Sequence, residues 1–223
     1  MKSITLLLML MFTLVSCGGG GGGGSDKQDA IVAPQVPEET DPGTDTGTDP
    51  DTNTGLPNSA YTFDSNIKWI SLTNAQKNKF LNAVDMIKRV VASEEFRDAI
   101  LNHKYNGRKT FVDNNGLTNS QIYNKILEAA EKLYPSKNNK MDMEVTTYYS
   151  DNNVVGYTYA TSKRIWVNRK FFDTYGTSSV AANLFHEWLH KVGFGHAATY
   201  STSRDYSVPY AIGSLIRRLG PKV

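Results

Sequence analysis

Eleven residues constrain this chain more than all the others: His186-Glu187-Trp188-Leu189-His190-Lys191-Val192-Gly193-Phe194-Gly195-His196. They spell H-E-x-x-H-x-x-G-x-x-H. Side chains four apart lie on one helix face, about one turn along, so a helix here lets His186 and His190 grip one ion. Glu187 falls about 100° round that helix, beside the ion rather than on it. From there its carboxylate can hold and deprotonate a water. Gly193 permits the positive φ that ends a helix and turns the chain back, which brings in His196 as a third ligand. Three protein ligands leave a tetrahedral ion one open position, as in catalytic zinc (Zn2+) sites rather than closed structural ones. The chain has 4 histidines, and all but one fall in this motif.

The start of the chain reads as a leader and a tether. Lys2 gives a positive charge, and Ile4 to Val15 is an apolar run too short to span a bilayer's hydrocarbon core. It ends in Leu14-Val15-Ser16-Cys17, which resembles the lipobox of bacterial lipoproteins. Residues 1–16 are therefore expected to be a signal peptide and Cys17 a lipidated N-terminus that anchors the protein in a membrane. Cys17 is the single cysteine, so no internal disulfide can form and no thiolate from a propeptide can cap the metal. Residues 17–56, with their glycine run and Thr/Asp/Pro-rich stretch, cannot support a core and read as a flexible tether. Export to the cell envelope follows. Gly18 lacks the Asp that retains some lipoproteins at the inner membrane, so the outer membrane, on its periplasmic or surface face, is favoured.

The tether hides the charge of the rest. Residues 57–223 carry 22 Lys and Arg against 14 Asp and Glu, a formal +8, whereas the whole chain sums to +2. Such a surface suits anionic envelope polymers or acidic peptides, and equally a plain solvated exterior. No nucleic-acid motif is present, and no nucleic-acid partner is expected. The sequence does not fix an oligomeric state.

Residues 57–223 suffice for one domain with an α+β pattern. Thr73 can cap a helix carrying Phe80, Leu81, Val84, Ile87, Val90 and Val91, with a break at Ala92-Ser93 before Phe96, Ile100 and Leu101. Asn106-Gly107 and Asn114-Asn115-Gly116 mark turns. A second helix is expected over 119–133, with Ile122, Ile126 and Ala129 or Ala130 inward. These stripes read as core. The period then changes: 143–149, 154–159 and 164–168 are rich in β-branched and aromatic residues, and Thr161-Ser162-Lys163 can turn a hairpin. Thr177 or Ser178 can cap the motif helix, which carries Val180, Leu184, Phe185, Trp188 and Val192. A short helix over 210–219 closes the chain.

With His186, Glu187, His190, Gly193 and His196 in place, the chain resembles the metzincin zinc metallopeptidases, loosely over residues 143–212. That resemblance implies a zincin-like fold: N-terminal helices, a small mixed sheet with an edge strand at the cleft, then the zinc helix. It implies that Val154–Tyr159 is the edge strand and that backbone near Val155, Gly156 and Tyr157 pairs with an extended protein or peptide substrate, Gly156 leaving room for close approach or forming a bulge. The methionine that names the clan is absent. Where its turn would fall stands Ser207-Val208-Pro209-Tyr210, with Pro209 at or near the missing Met. Tyr210 or Tyr206 is a candidate phenol donor to an oxyanion, against ordinary packing. Asp205 is a candidate acceptor for a ligand histidine. The leading expectation is a lipid-anchored zinc metalloendopeptidase with Glu187 as general base. The rivals are a non-catalytic zinc-containing binding lipoprotein and an amide hydrolase acting on envelope peptides.

Overall fold

The computed structural model describes residues 62–223. The leader, Cys17, the tether and the first residues of the basic segment lie outside the described residues. The described residues form a mixed α+β arrangement: a four-stranded sheet with helices packed on it and a two-stranded ribbon to one side.

Strand β1 (Asp64–Trp69) leads into α1 (Asn74–Val91), α2 (Glu94–Leu101), the ribbon β2 (Lys104–Tyr105) and β3 (Arg108–Lys109), and α3 (Asn119–Glu128). The sheet resumes with β4 (Lys140–Tyr148), β5 (Gly156–Thr158) and β6 (Arg164–Asn168). Then come α4 (Arg169–Phe172), α5 (Thr177–Val192) and α6 (Val208–Leu219), with a 3-10 turn over Thr202–Tyr206 between the last two and another over Gly220–Lys222 at the end.

Thr73 caps α1 through a reciprocal capping box with Gln76. Ser93 both ends α1 and caps α2, so the break at 92–93 holds. Phe80, Val84, Ile87, Val90 and Val91 are buried, whereas Leu81 turns outward. Asn106 and Gly107 both take positive φ, the turn that joins β2 to β3.

Sheet order is β1-β4-β6-β5, with β1, β4 and β6 parallel and β5 antiparallel to β6 at the end of the sheet. Met141, Met143, Val145, Ile165 and Val167 form the sheet's contribution to the core, beneath α1 and α5. The opposite face carries an ion ladder across three strands, Lys68–Glu144 at 3.6 Å and Arg164–Glu144 at 2.9 Å. Beside it, Tyr157 stacks flat on Trp166.

Several boundaries differ from those the sequence predicts, each for a physical reason. β1 went unpredicted because only Ile67 and Trp69 break a polar run, and its pairing with β4 is long-range. β4 begins at Lys140 because the register with β1 extends it. α3 ends at Glu128, where Ala129 turns left-handed (φ 49°). The chain then doubles back to give Glu131 to the buried indole of Trp188, and the Lys132 N–H to the Lys191 carbonyl. A buried indole N–H requires such an acceptor. α5 starts at Thr177, but its N-cap is Gly176 and no side chain caps it. α6 starts two residues earlier than expected because Pro209 suits a first helical turn.

Gly156 forms no bulge. It pairs in regular register with Val167, and a Cβ there would lie 2.7 Å from Asn183 Oδ1 and 3.2 Å from the Trp166 carbonyl oxygen. The room it leaves is used by the protein's own α5. Gly156→Ala should therefore lower stability by about 1–3 kcal/mol, as overpacking does. Much of that loss should return in Gly156→Ala/Asn183→Ala, read from urea midpoints.

Candidate metal centre

α5 is the most enclosed helix of the fold, packed between the sheet, α1 and α6. Val180, Leu184, Phe185, Trp188, Leu189 and Val192 are all buried. That packing makes a rigid rail for its last two turns. His186 and His190 project from one face with ring centroids 5.0 Å apart. Gly193 ends the helix at φ 111°, its N–H reaching the Leu189 and His190 carbonyls. Phe194, itself buried, plugs into the core and sets the exit direction. His196 then returns to the other two, its ring centroid 5.2 Å from His186 and 4.9 Å from His190. One nitrogen from each of the three lies within 4.8 Å of the others, and among the described residues this cluster is the group that can hold a metal ion.

Each ring is oriented by a backbone carbonyl. His190 Nδ1 meets the Phe194 oxygen at 2.8 Å and His196 Nδ1 meets that of Ala197 at 2.9 Å, while His186 is bonded to the carbonyl of Pro209. A ring that donates from Nδ1 is a neutral tautomer with a lone pair on Nε2. The Nε2 atoms of His186 and His196 face each other at 3.2 Å. At that distance the two nitrogens can share a proton or a cation. A tetrahedral ion bound at about 2.0–2.1 Å sets its ligand nitrogens roughly 3.3 Å apart. His190 Nε2 is buried with no protein partner, as is Glu187 Oε2. The donor set fits a metal ion. The three carbonyls take the place that Asp205 was expected to fill.

Electrostatics point the same way. Burial, then the neighbouring imidazoles, hold His186 well below the usual histidine range; burial brings His190 to about 4 and lowers His196. All three are thus neutral, the ligating form, near pH 7. Burial pushes Glu187 up to about 8, opposed by the charge of Lys191. A carboxylate so enclosed is stable as an anion only beside a positive charge, which a bound cation provides.

The floor of the site is built from the start of α6 and the residues just before it. The Tyr210 ring centroid lies 4.6 Å from that of His186 and 4.7 Å from that of His196. Gly213 lets α6 approach closely, since a Cβ there would meet the Ala182 carbonyl at 3.2 Å and His186 Cβ at 3.4 Å. Tyr206 instead packs on His103 and Tyr105, away from the three histidines. The fourth histidine, His103, is stacked on Phe111 with ring centroids 3.9 Å apart and is not a ligand.

Along β5 the register decides which backbone groups are free. Val155 accepts from the Asn168 N–H at 2.8 Å, so Val155 and Tyr157 direct their backbone groups to β6. Gly156 and Thr158 direct theirs to the outer edge, where no described strand pairs. The outward-facing backbone groups on β5 are thus those of Gly156 and Thr158, the latter not singled out from sequence, while those of Val155 and Tyr157 are engaged with β6. Only the pairing register distinguishes these residues.

No protein-family profile, no curated protein and no solved structure matches this chain.

Metal should stabilise the protein measurably. Zinc or cobalt ions at about 100 times their dissociation constant should add about 2.7 kcal/mol, a rise in Tm of roughly 5–10 °C. Differential scanning fluorimetry should show this gain in the unaltered chain and not in His196→Ala.

Proposed function

We propose that this chain is a zinc-dependent hydrolase of peptide bonds, zincin-like in fold and metzincin-like at its site. Its lipid anchor on Cys17 would hold it in a bacterial cell envelope, with the outer membrane favoured. The observation that carries the reading is the pairing of three convergent neutral histidines with a buried carboxylate, Glu187, whose Oε2 has no protein partner.

His186, His190 and His196 would hold the ion through Nε2, leaving one position open. Zinc, when bound, supplies Lewis acidity that polarises the scissile carbonyl and lowers the pKa of a water from 15.7 towards about 7. Glu187 takes the proton from the attacking water and returns it to the leaving amine. Its burial keeps that proton from bulk solvent, and its raised proton affinity without metal is brought down by a nearby cation. Tyr210 holds the His186 and His196 rings in place, and its phenol is the candidate donor to the developing oxyanion. The outward backbone groups of Gly156 and Thr158 offer an extended substrate strand a ladder along the β5 edge.

A zinc-containing lipoprotein that only binds has no chemical need for an enclosed carboxylate next to a ligand. The choice between proteins and envelope peptides as substrate turns on surface charge, and the formal +8 of residues 57–223 favours anionic ones.

Glu187→Gln should retain its zinc by elemental analysis and lose about 10²–10⁴-fold in kcat on a quenched fluorescent peptide mixture. A zinc-loaded variant with unchanged turnover would remove Glu187 from the chemistry.

A further inference from the structure

Arg204 lies at this site without a role in the mechanism above. It stands in the 3-10 turn after the third histidine, and its guanidinium carbon sits 4.4 Å from the centroid of the Tyr210 ring. That ring touches both His186 and His196, so the guanidinium is one ring removed from the metal ligands. Nη1 donates to the Ala198 carbonyl at 3.3 Å, which ties the arginine to the segment just past His196. Nε is buried and has no acceptor. No described carboxylate forms an ion pair with Arg204, its neighbour Asp205 included.

Arg204 is half-buried, and its enclosed Nε is the part left without an acceptor. A guanidinium cannot discharge by losing its proton, and a buried donor without an acceptor is costly. Stacking on an aromatic face fixes the group but leaves its N–H fork unspent. The stack on Tyr210 and the bond to Ala198 hold the guanidinium beside the histidine cluster with its Nε donor unmet and no carboxylate paired to it. An anion that arrives with the substrate supplies both the missing acceptor and the missing countercharge. Peptides carry one anionic group that matches the planar fork, the carboxylate.

We propose that Arg204 is a specificity-determining residue that binds a substrate carboxylate, either an Asp or Glu side chain near the scissile bond or the C-terminal carboxylate. Its distance from the ligands, one aromatic ring, suits a group flanking the reacting carbonyl rather than the carbonyl itself. This inference rests on the hydrolase reading, but its test does not depend on turnover.

The test uses the zinc-loaded chain in a Glu187→Ala background, so that peptides bind without being cut, and fluorescence anisotropy with three labelled peptide pools. One contains Asp and Glu and ends in an amide. The second replaces these with Asn and Gln. The third is the second with a free C-terminal carboxylate. The first or third pool should bind about ten-fold tighter than the second, and which one does identifies the carboxylate's source. Arg204→Gln, at unchanged zinc content, should erase the preference. Arg204→Lys, which keeps the charge but not the fork, should reduce it several-fold and decides the matter if the glutamine variant does not fold. Equal binding of all pools, no binding of any, or a preference that survives both substitutions would overturn the proposal. Intact Glu187 protein that cleaves peptides without acidic preference would leave the hydrolase standing and sink Arg204. Carboxylate-selective binding without any cleavage would do the reverse.

Discussion

Much of this fold answers to one constraint: a helix buried on nearly every side needs partners for the polar groups it carries inward. α5 brings Trp188 and Lys191 into the interior along with its ligands. The Trp188 indole is met by Glu131, for which α3 ends early and the chain doubles back. The Lys191 ammonium donates to the carbonyls of Tyr159, Ser162 and Arg164, which pins the β5–β6 hairpin to the helix. Burial pushes Lys191 down to about 8, opposed by the charge of Glu187. Against that background the orphaned Glu187 Oε2 and His190 Nε2 are telling. Both atoms belong to the helix turns that carry two of the clustered histidines, as a site awaiting a ligand would leave them.

The same logic explains how the three histidines are held in place. A ligand cluster needs its rings oriented and its floor filled. Backbone carbonyls of Phe194, Ala197 and Pro209 perform the first task for the three histidines in turn. The Tyr210 ring and the close α5–α6 approach at Gly213 perform the second. Phe194 serves twice, since its side chain anchors the turn and its carbonyl orients His190. An aromatic ring on a proline-started helix thus fills the space beside His186 and His196.

What the sequence made legible was whatever depended on local spacing. The interval of four between His186 and His190, the left-handed turn at Gly193, the capping box at Thr73 and the hairpin around 161–163 all follow from chemistry within a few residues. What it hid depended on partners far along the chain. β1 is a strand because β4 pairs with it 76 positions on, not because its own residues prefer extension. α3 stops where it does to satisfy an indole 57 positions away. The space left by the missing side chain of Gly156 is taken by Asn183. That the backbone groups of Gly156 and Thr158 face outward is set by a pairing register that no composition reveals. Arg204 gave no signal at all, since a lone arginine in a loop becomes informative only beside the ring and carbonyl that hold it.

The most direct test of a catalytic zinc centre is X-ray absorption at the zinc edge on the purified chain loaded with one equivalent of the ion. The account predicts three imidazole nitrogens and one non-imidazole oxygen donor, all near 2.0–2.1 Å, with the imidazole signal reduced by one ring in His190→Ala. A spectrum of fully hydrated zinc, or of four protein ligands closing the ion off from solvent, would contradict it.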